Sequence, residues 1–169
     1  MSDKKESSSD QLYELLKKYK FAVMTTVSPD GTLHGRPMAV QEREPDADVW
    51  FATSLDTAKA RDLEANPQIG LTYFEGPAKG YVSVSGKARL SRDPARIKHL
   101  WQPDWKLWFP NGPDDPDIVL LKVDVEQAEY IDPGTNKLVV LQALVRAVTG
   151  GDAPAESEIV HLDKAELGG

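Results

Sequence analysis

The chain has no cysteine among its 169 residues. Disulfides, thiolate nucleophiles and zinc–thiolate sites are therefore excluded. Histidine is scarce as well: His34, His99 and His161 lie far apart, and none has a ligand partner at helical spacing. No metal site is expected, and each is read as a surface or edge residue. Basic charge is in deficit, with 20 Lys and Arg against 27 Asp and Glu and a formal net charge of -7. That balance argues against nucleic acid as a partner, since phosphate backbones require a basic surface. No apolar run is long enough to span a bilayer, and no basic amphipathic stretch suits a membrane surface. The first residues, "MSDKKESSSD", carry no apolar core of a signal peptide, so the expectation is a cytoplasmic protein. A Gly-x-Ser-x-Gly elbow, a Walker loop, a Gly-x-Gly-x-x-Gly motif and internal repeats are all missing.

What is present is a succession of short strand patterns. "FAVMTTV" is rich in β-branched residues and stops at "SPDG", a turn signal, so with "TLHGRPMAV" it reads as a hairpin. "VWFATS", "IGLTYF", "GYVSVSGKARL", "DIVLLKVDV" and "AEYID" are further strands, with "REPDAD" a polar turn. In "GYVSVSGKARL", Val82, Val84, Gly86, Ala88 and Leu90 fall on one face, and Tyr81, Ser83, Ser85, Lys87 and Arg89 on the other. Such alternation buries one face and leaves the other to water or a polar cleft.

Helical patterns are fewer. "DQLYELLKKY" recurs at Leu12, Leu15, Leu16 and Tyr19 behind an Asp10 cap. "LDTAKARDLEANP" can be capped by Asp56 and ends at Asn66-Pro67. "DPARIKHLW" has Pro94 in its first turn, and "NKLVVLQALVRAV" is read as a helix despite Val139 and Val140. Strands outnumber helices and do not alternate with them regularly, so an antiparallel barrel with helices outside is expected, not a doubly wound sheet. The chain length suits one domain. It is placed at residues 10–150, after a disordered segment 1–9 and before a flexible acidic tail 151–169.

One strand is odd. "LHGRPMAV" puts Arg36 and Pro37 where a central strand would be apolar. Pro37 has no N–H, so the strand belongs at an edge or at a break in the barrel. Arg36 shares a face with Met38 by period two. The next strand ends in two hydroxyls, Thr53 and Ser54, and Thr57 and Lys59 follow at a helix start. Hydroxyls, a lysine and unpaired helix N–H groups make a phosphate pocket, to which Arg36 adds a planar grip. The ligand implied is a phosphorylated small molecule. The blander alternative is that these hydroxyls only cap the helix and Lys59 is solvated. A second unusual stretch, "LWQPDWKLWFPNGPDDPD", packs three of the four tryptophans and Phe109 into a proline-broken segment. It is either a lid over the protein's own core or a flat aromatic wall for a ring system or a subunit contact.

Taken together, "RPMAV", "WFATSLDTAK", "NP", "YVSVSGKARL" and "LWQPDWKLWFPNGPDDPDIVLLKVDVEQAEYID" resemble the pyridoxamine 5′-phosphate oxidase-like FMN-binding split barrels, more narrowly the general stress protein 26-like branch. The resemblance implies a mainly β fold, a six-stranded antiparallel split β-barrel with flanking helices, forming a homodimer with FMN at the subunit interface. It implies that Arg36 reaches the FMN phosphate or its surroundings. It also implies that Pro37, Met38, Ala39 and Val40 belong to a strand beside the ring system, and that Phe51, Ala52, Thr53 and Ser54 form a second lining strand. By the same resemblance Thr57 and Lys59 hold the phosphate, and Trp105, Trp108 and Phe109 lie near the ring, in the same or the partner chain. Two departures stand out. The oxidase itself has Ser-Arg-Lys where this chain has Thr57-Ala58-Lys59, and its C-terminal Arg-x-His element is absent, with only Arg146 and His161 in that region. Pyridoxamine phosphate oxidation is thus not expected. The implied activity is that of a flavin-dependent oxidoreductase of unknown substrate and no identifiable catalytic residue. The alternatives are a non-catalytic flavin store or sensor and a deazaflavin-binding reductase, with a haem binder ranked last.

Overall fold

A computed structural model describes residues 12, 14–41, 49–76, 80–132, 137–142 and 160–162. For 132, 137–142 and 160–162 only the backbone course is described. The strands are β1 (Phe21–Val27), β2 (Leu33–Ala39), β3 (Val49–Ser54), β4 (Gln68–Phe74), β5 (Tyr81–Ser91), β6 (Ile118–Asp132), β7 (Lys137–Gln142) and β8 (Val160–Leu162). The helices are α1 (Ala58–Ala65) and α2 (Pro94–Leu100), followed by short 3-10 turns at Pro103–Leu107 and Gly112–Asp114. A helical turn at Leu12 and 14–16 precedes β1.

Local chemistry accounts for the punctuation. In the β1–β2 hairpin, Gly31 N–H donates to Ser28 O (2.8 Å) and Ser28 N–H to Thr32 O (2.9 Å). Gly31 has φ of +85°, a left-handed conformation that a residue with Cβ adopts at a cost. Helix α1 is capped by Thr57, whose Oγ1 accepts from Ala60 N–H at 3.3 Å. Asp56, expected as the cap, instead faces Arg61 at 2.8 Å on the surface. Thr57 wins because its extended backbone (φ −122°, ψ 152°) aims the hydroxyl back at the first turn. Helix α2 begins at Asp93, which accepts from Ala95 and Arg96 N–H, with Pro94 in the first turn.

The sheet is antiparallel throughout, in the order β2-β1-β4-β5-β6-β7-β8, with β3 also on β6. Strand β6 explains the branch. One edge pairs along its length with β5. The other edge holds β3 against 118–123 and β7 against 127–132. The two strands expected at "DIVLLKVDV" and "AEYID" are therefore one continuous strand. Strands β1 to β6 make the curled half of an antiparallel split barrel, as expected. Its end strands are β2 and β3, and no ladder joins them among the described residues.

Two expectations need revision. Within the stretch read as a helix, Lys137–Gln142 is strand β7, and the rest of it, 136 and 143–148, lies outside the described residues. Val139 and Val140 restrict χ1 in a helix and suit a pleat, and the hairpin with β6 rewards that preference. Val160–Leu162, within the stretch read as a flexible tail, pairs with β7. The segments 1–9 and 42–48 lie outside the described residues.

Two cores flank β3. Its Val49 and Phe51 point into the barrel with Met24, Met38, Leu71, Tyr73, Val84 and Leu121. Its Trp50 points the other way and packs with Ile97, Leu100, Trp105, Phe109, Ile118 and Leu120. The Arg96 guanidinium lies 5.2 Å from the Trp50 ring, tying α2 to the sheet. A register shift falls between Ser85 and Gly86, opposite the extra residue Glu126. A Cβ on Gly86 would lie 2.3 Å from Asp124 O, a backbone atom that cannot swing aside. Replacing Gly86 with Ala should cost about 1–3 kcal/mol through forced backbone shifts. Urea denaturation would register this as a lower midpoint at unchanged slope, and an unchanged midpoint would show that the bulge is pliable.

Candidate functional site

The ends of the split barrel meet at α1. Strand β2 is an edge strand, as Pro37 requires. Val40 N–H donates to Lys20 O at 3.0 Å, which makes that pair a hydrogen-bonded one. By the alternation of an antiparallel ladder, Pro37, opposite Val23, falls in a non-bonded pair. The donor that proline lacks would therefore point outward, so the sheet loses no ladder bond. The backbone groups of Gly35, Pro37 and Ala39 face this free edge, and the Gln41 side chain caps Ala39 O at 3.1 Å.

On the inner face of β2, Met38 is buried in the barrel core, and Arg36 follows toward the open end. Arg36 is not loose there. Its Nη1 donates to Thr26 Oγ1 at 2.7 Å and to His34 O at 3.3 Å. Its Nη2 lies 3.2 Å from Asp62 Oδ2 and 3.3 Å from His34 Nδ1. Asp62, on α1, also accepts from Thr26 Oγ1 (2.8 Å) and Ser28 Oγ (2.9 Å). Burial alone would raise the Asp62 carboxyl, but the bonds from Thr26, Ser28 and Arg36 and the charge of Arg36 hold it below its ordinary value.

Three residues before Asp62, and so on a neighbouring face of the same helix, stands Lys59. Its Nζ donates to Thr53 Oγ1 at 2.7 Å, and among the described residues it meets no carboxylate. Burial, then the nearby positive charge of Arg36, lowers the Lys59 ammonium below its ordinary value. The two cations thus lie near enough for the charge of Arg36, held on β2 by Thr26 and Asp62, to act on Lys59, which rests on the Thr53 hydroxyl of β3. An anion close to both would oppose the Lys59 shift through its own charge. Two charged donors, a hydroxyl and the start of a helix suit a phosphate monoester. Thr57 Oγ1 is already engaged in the cap and with Ser54 O at 2.9 Å. The expected site residues therefore divide. Lys59 and Thr53 meet and Arg36 acts on Lys59 through its charge, Thr57 and Ser54 sit at the adjoining helix start, and Met38 and Phe51 turn their side chains into the barrel core. Ala39 is exposed on β2, while Val40 and Ala52 pack partly against the two cores.

The aromatic segment splits too. Trp105 and Phe109, expected beside a ring, are buried within the chain's own second core at 6% and 5% exposure. Trp101 meets Trp105 edge-on at 5.6 Å between ring centres. Only Trp108, at 67%, and Leu107 project outward. The site residue missed from sequence is Asp62. Its spacing of three from Lys59 on the helix was visible, but the pairing with Thr26, Ser28 and Arg36 needs the tertiary contact of α1 with β1 and β2.

Comparison with known proteins follows the same lines. The family model described as "Pyridoxamine 5′-phosphate oxidase like" matches residues 7–155. General stress protein 26 of Bacillus subtilis is 30% identical over 97 residues, covering 56% of this chain and 69% of that protein. Among solved structures, a protein related to general stress protein 26 from Clostridium acetobutylicum superposes with a TM-score of 0.67 at 21% identity, covering 79% of this chain and 93% of that one. A pyridoxamine 5′-phosphate oxidase-related, FMN binding protein from Nostoc punctiforme superposes with a TM-score of 0.64 at 15% identity, covering 92% of this chain and 93% of that one. At these identities the two structures show the shared fold.

A carboxyl held lower in the folded than in the unfolded chain stabilises the fold in a defined window. The Asp62 contribution is fully present above about pH 4 and is lost as pH falls through its depressed folded value. Urea midpoints should therefore decline on the acid side, and Asp62→Asn should flatten that decline. At neutral pH the same variant should lose roughly 1–3 kcal/mol, because Thr26, Ser28 and Arg36 keep poorer partners. An acid limb identical in the two proteins would remove Asp62 as its source.

Proposed function

Because the chain belongs to the pyridoxamine 5′-phosphate oxidase-like family, we propose that it binds FMN at the seam between β2 and β3 and acts as a cytoplasmic flavin-dependent oxidoreductase. The observation that carries this reading is the pair of cations at the sheet ends, Lys59 seated on Thr53 of β3 and Arg36 of β2 near enough for its charge to act on Lys59. The FMN binding named for the Nostoc protein supports the choice of ligand. A role under stress is proposed from the resemblance to the Bacillus protein.

Lys59 and Arg36 would hold the phosphate, with Thr53 and the first N–H groups of α1 completing the cradle. The free backbone edge of β2 offers N–H and C=O groups to the polar rim of the ring system. Bound FMN would supply hydride chemistry that no side chain here can perform. The protein's part is to fix the phosphate, orient the ring along the seam and shield one face of it. Burial of Trp105 and Phe109 in their own core leaves Trp108 as the single expected ring free to reach a flavin, too little to close over it, which favours an enzyme over a closed flavin store.

The same reading includes a homodimer. The outer face of β1, β2 and β4 is apolar and bare: Phe21 is 57% exposed and Phe74 60%, and Val23 stands beside them. Phe21 is paired with Ala39 and Val23 with Pro37, all pointing outward. A second copy covering this face would remove an apolar patch that a monomer would otherwise expose.

Denaturing the purified protein and weighing what is released tests the ligand. FMN is expected; a deazaflavin or no ligand would overturn the assignment. Lys59→Ala should weaken FMN binding by roughly 1–3 kcal/mol, the loss of one charge-assisted bond, and unchanged affinity would remove Lys59 from the site. Turnover with a reduced nicotinamide separates an enzyme from a store. Placing Glu at Phe21 and Val23 together should convert the protein to a monomer by light scattering, and a dimer that survives must use another face.

A further inference from the structure

The cations of the seam are held only in part by the elements that carry them. Arg36 bonds back to His34 on a strand that no other strand flanks beyond it among the described residues, and Lys59 reaches from a helix of eight residues to Thr53. The two like charges oppose each other, as the lowering of Lys59 by Arg36 reflects. The group that opposes this is Asp62, whose side chain is 7% exposed. It does two things at once. Through Thr26 and Ser28 it fastens α1, and with it Lys59, to β1. Through its Oδ2 it takes one arm of the Arg36 guanidinium, while Thr26 takes the other arm and is itself a donor to Asp62. The guanidinium plane is thus fixed by a closed triangle of Arg36, Thr26 and Asp62.

We infer that Asp62 is a positioning residue for phosphate recognition: it sets the orientation of Arg36 and the spacing between Arg36 and Lys59, and so selects the phosphorylated form of the ligand. This rests on the flavin reading given above. The inference runs against simple electrostatics. A carboxylate beside an anion site repels the anion, so removing its charge should tighten binding if charge alone mattered. If orientation matters more, removing it weakens binding although the site becomes more positive. The sign of the effect separates the two. Orientation acts through Arg36 and fastening through Lys59, so where Arg36 is absent the effect of Asp62 must shrink to the fastening part.

The experiment compares FMN with riboflavin, which differ by the phosphate, on the full chain stripped of ligand. For Asp62→Asn the FMN dissociation constant should rise about tenfold, the order of one charge-assisted bond, while that of riboflavin stays where it was. In an Arg36→Ala background the same change should have a clearly smaller effect on FMN. Thr26→Val, which breaks the triangle while keeping shape and charge, should reproduce a smaller loss confined to FMN, and it serves where Asp62→Asn does not fold. Tighter FMN binding in Asp62→Asn would show that Asp62 merely competes for Arg36 and would overturn the inference. So would an equal loss for both flavins, which marks general damage, or an undiminished effect without Arg36. If the unaltered protein binds FMN no better than riboflavin, the phosphate site itself is wrong and the inference falls with it; an FMN preference that Asp62→Asn and Thr26→Val leave intact refutes the inference alone.

Discussion

The two end strands of the curled sheet, β2 and β3, do not pair with each other among the described residues, and α1 is the element that reaches both, through Asp62 to Arg36 and Lys59 to Thr53. An open seam in a sheet is ordinarily a hazard, because unpaired backbone groups invite another strand. Here β2 carries Pro37 with its donorless nitrogen outward, and the helix crosses nearby. The result is a break at which polar backbone and two partly exposed cations stand over the Thr53 hydroxyl, itself only 5% exposed. The flavin reading depends on that seam staying open.

Charge explains how the seam keeps its shape. The cluster holds Arg36 and Lys59 against one carboxylate, Asp62, a net charge of one positive unit. Asp62 is buried and accepts several hydrogen bonds, so it stays ionised at any ordinary pH. A buried ion pair contributes little net stability once desolvation is counted, and its use is more often to fix one geometry among several. That description suits a carboxylate on α1 whose partners come from β1, β2 and the turn between them. Lys59 differs: half-buried, partnered by a hydroxyl and pressed by a like charge, it is the member of the cluster with the most to gain from an anion.

Strand positions and faces were legible because burial imposes a period of two, as in β5, where every second residue from Val82 to Ala88 is buried. The edge position of β2 was legible from one proline, since proline tells where a donor is not needed. Two kinds of feature were hidden. The strand β7 read as a helix because its good helix formers at Leu138 and Leu141 mask two valines, and only pairing with β6 decides between them. Asp62 was hidden because an aspartate in a helix looks solvated until the tertiary partners are known. Arg36 was visible as an anomaly, but whether it faces a ligand or a carboxylate is decided by residues ten and twenty-six positions away.

The aromatic segment fits the first reading offered for it, a lid over the protein's own core, and leaves one ring outside. A proline-broken chain cannot bury its tryptophans on one regular face, so it distributes them. Trp105 and Phe109 fill the gap between α2 and the outer face of β3 and β6, where Trp50 awaits a cover. That packing fixes the backbone of the 3-10 turns on either side. Trp108 sits between two buried anchors and is thereby forced outward, a ring at 67% exposure on a rigid stem. Exposure of a ring held this way costs no ordering when something docks against it, because the loop has already been ordered by its neighbours. If two copies join through the bare face of β1, β2 and β4, such a pre-set ring is the sort of group that one chain can offer to a ligand held by the other. The core-filling tryptophans and the exposed one are then parts of a single device: the buried pair supplies the rigidity that makes the free one useful.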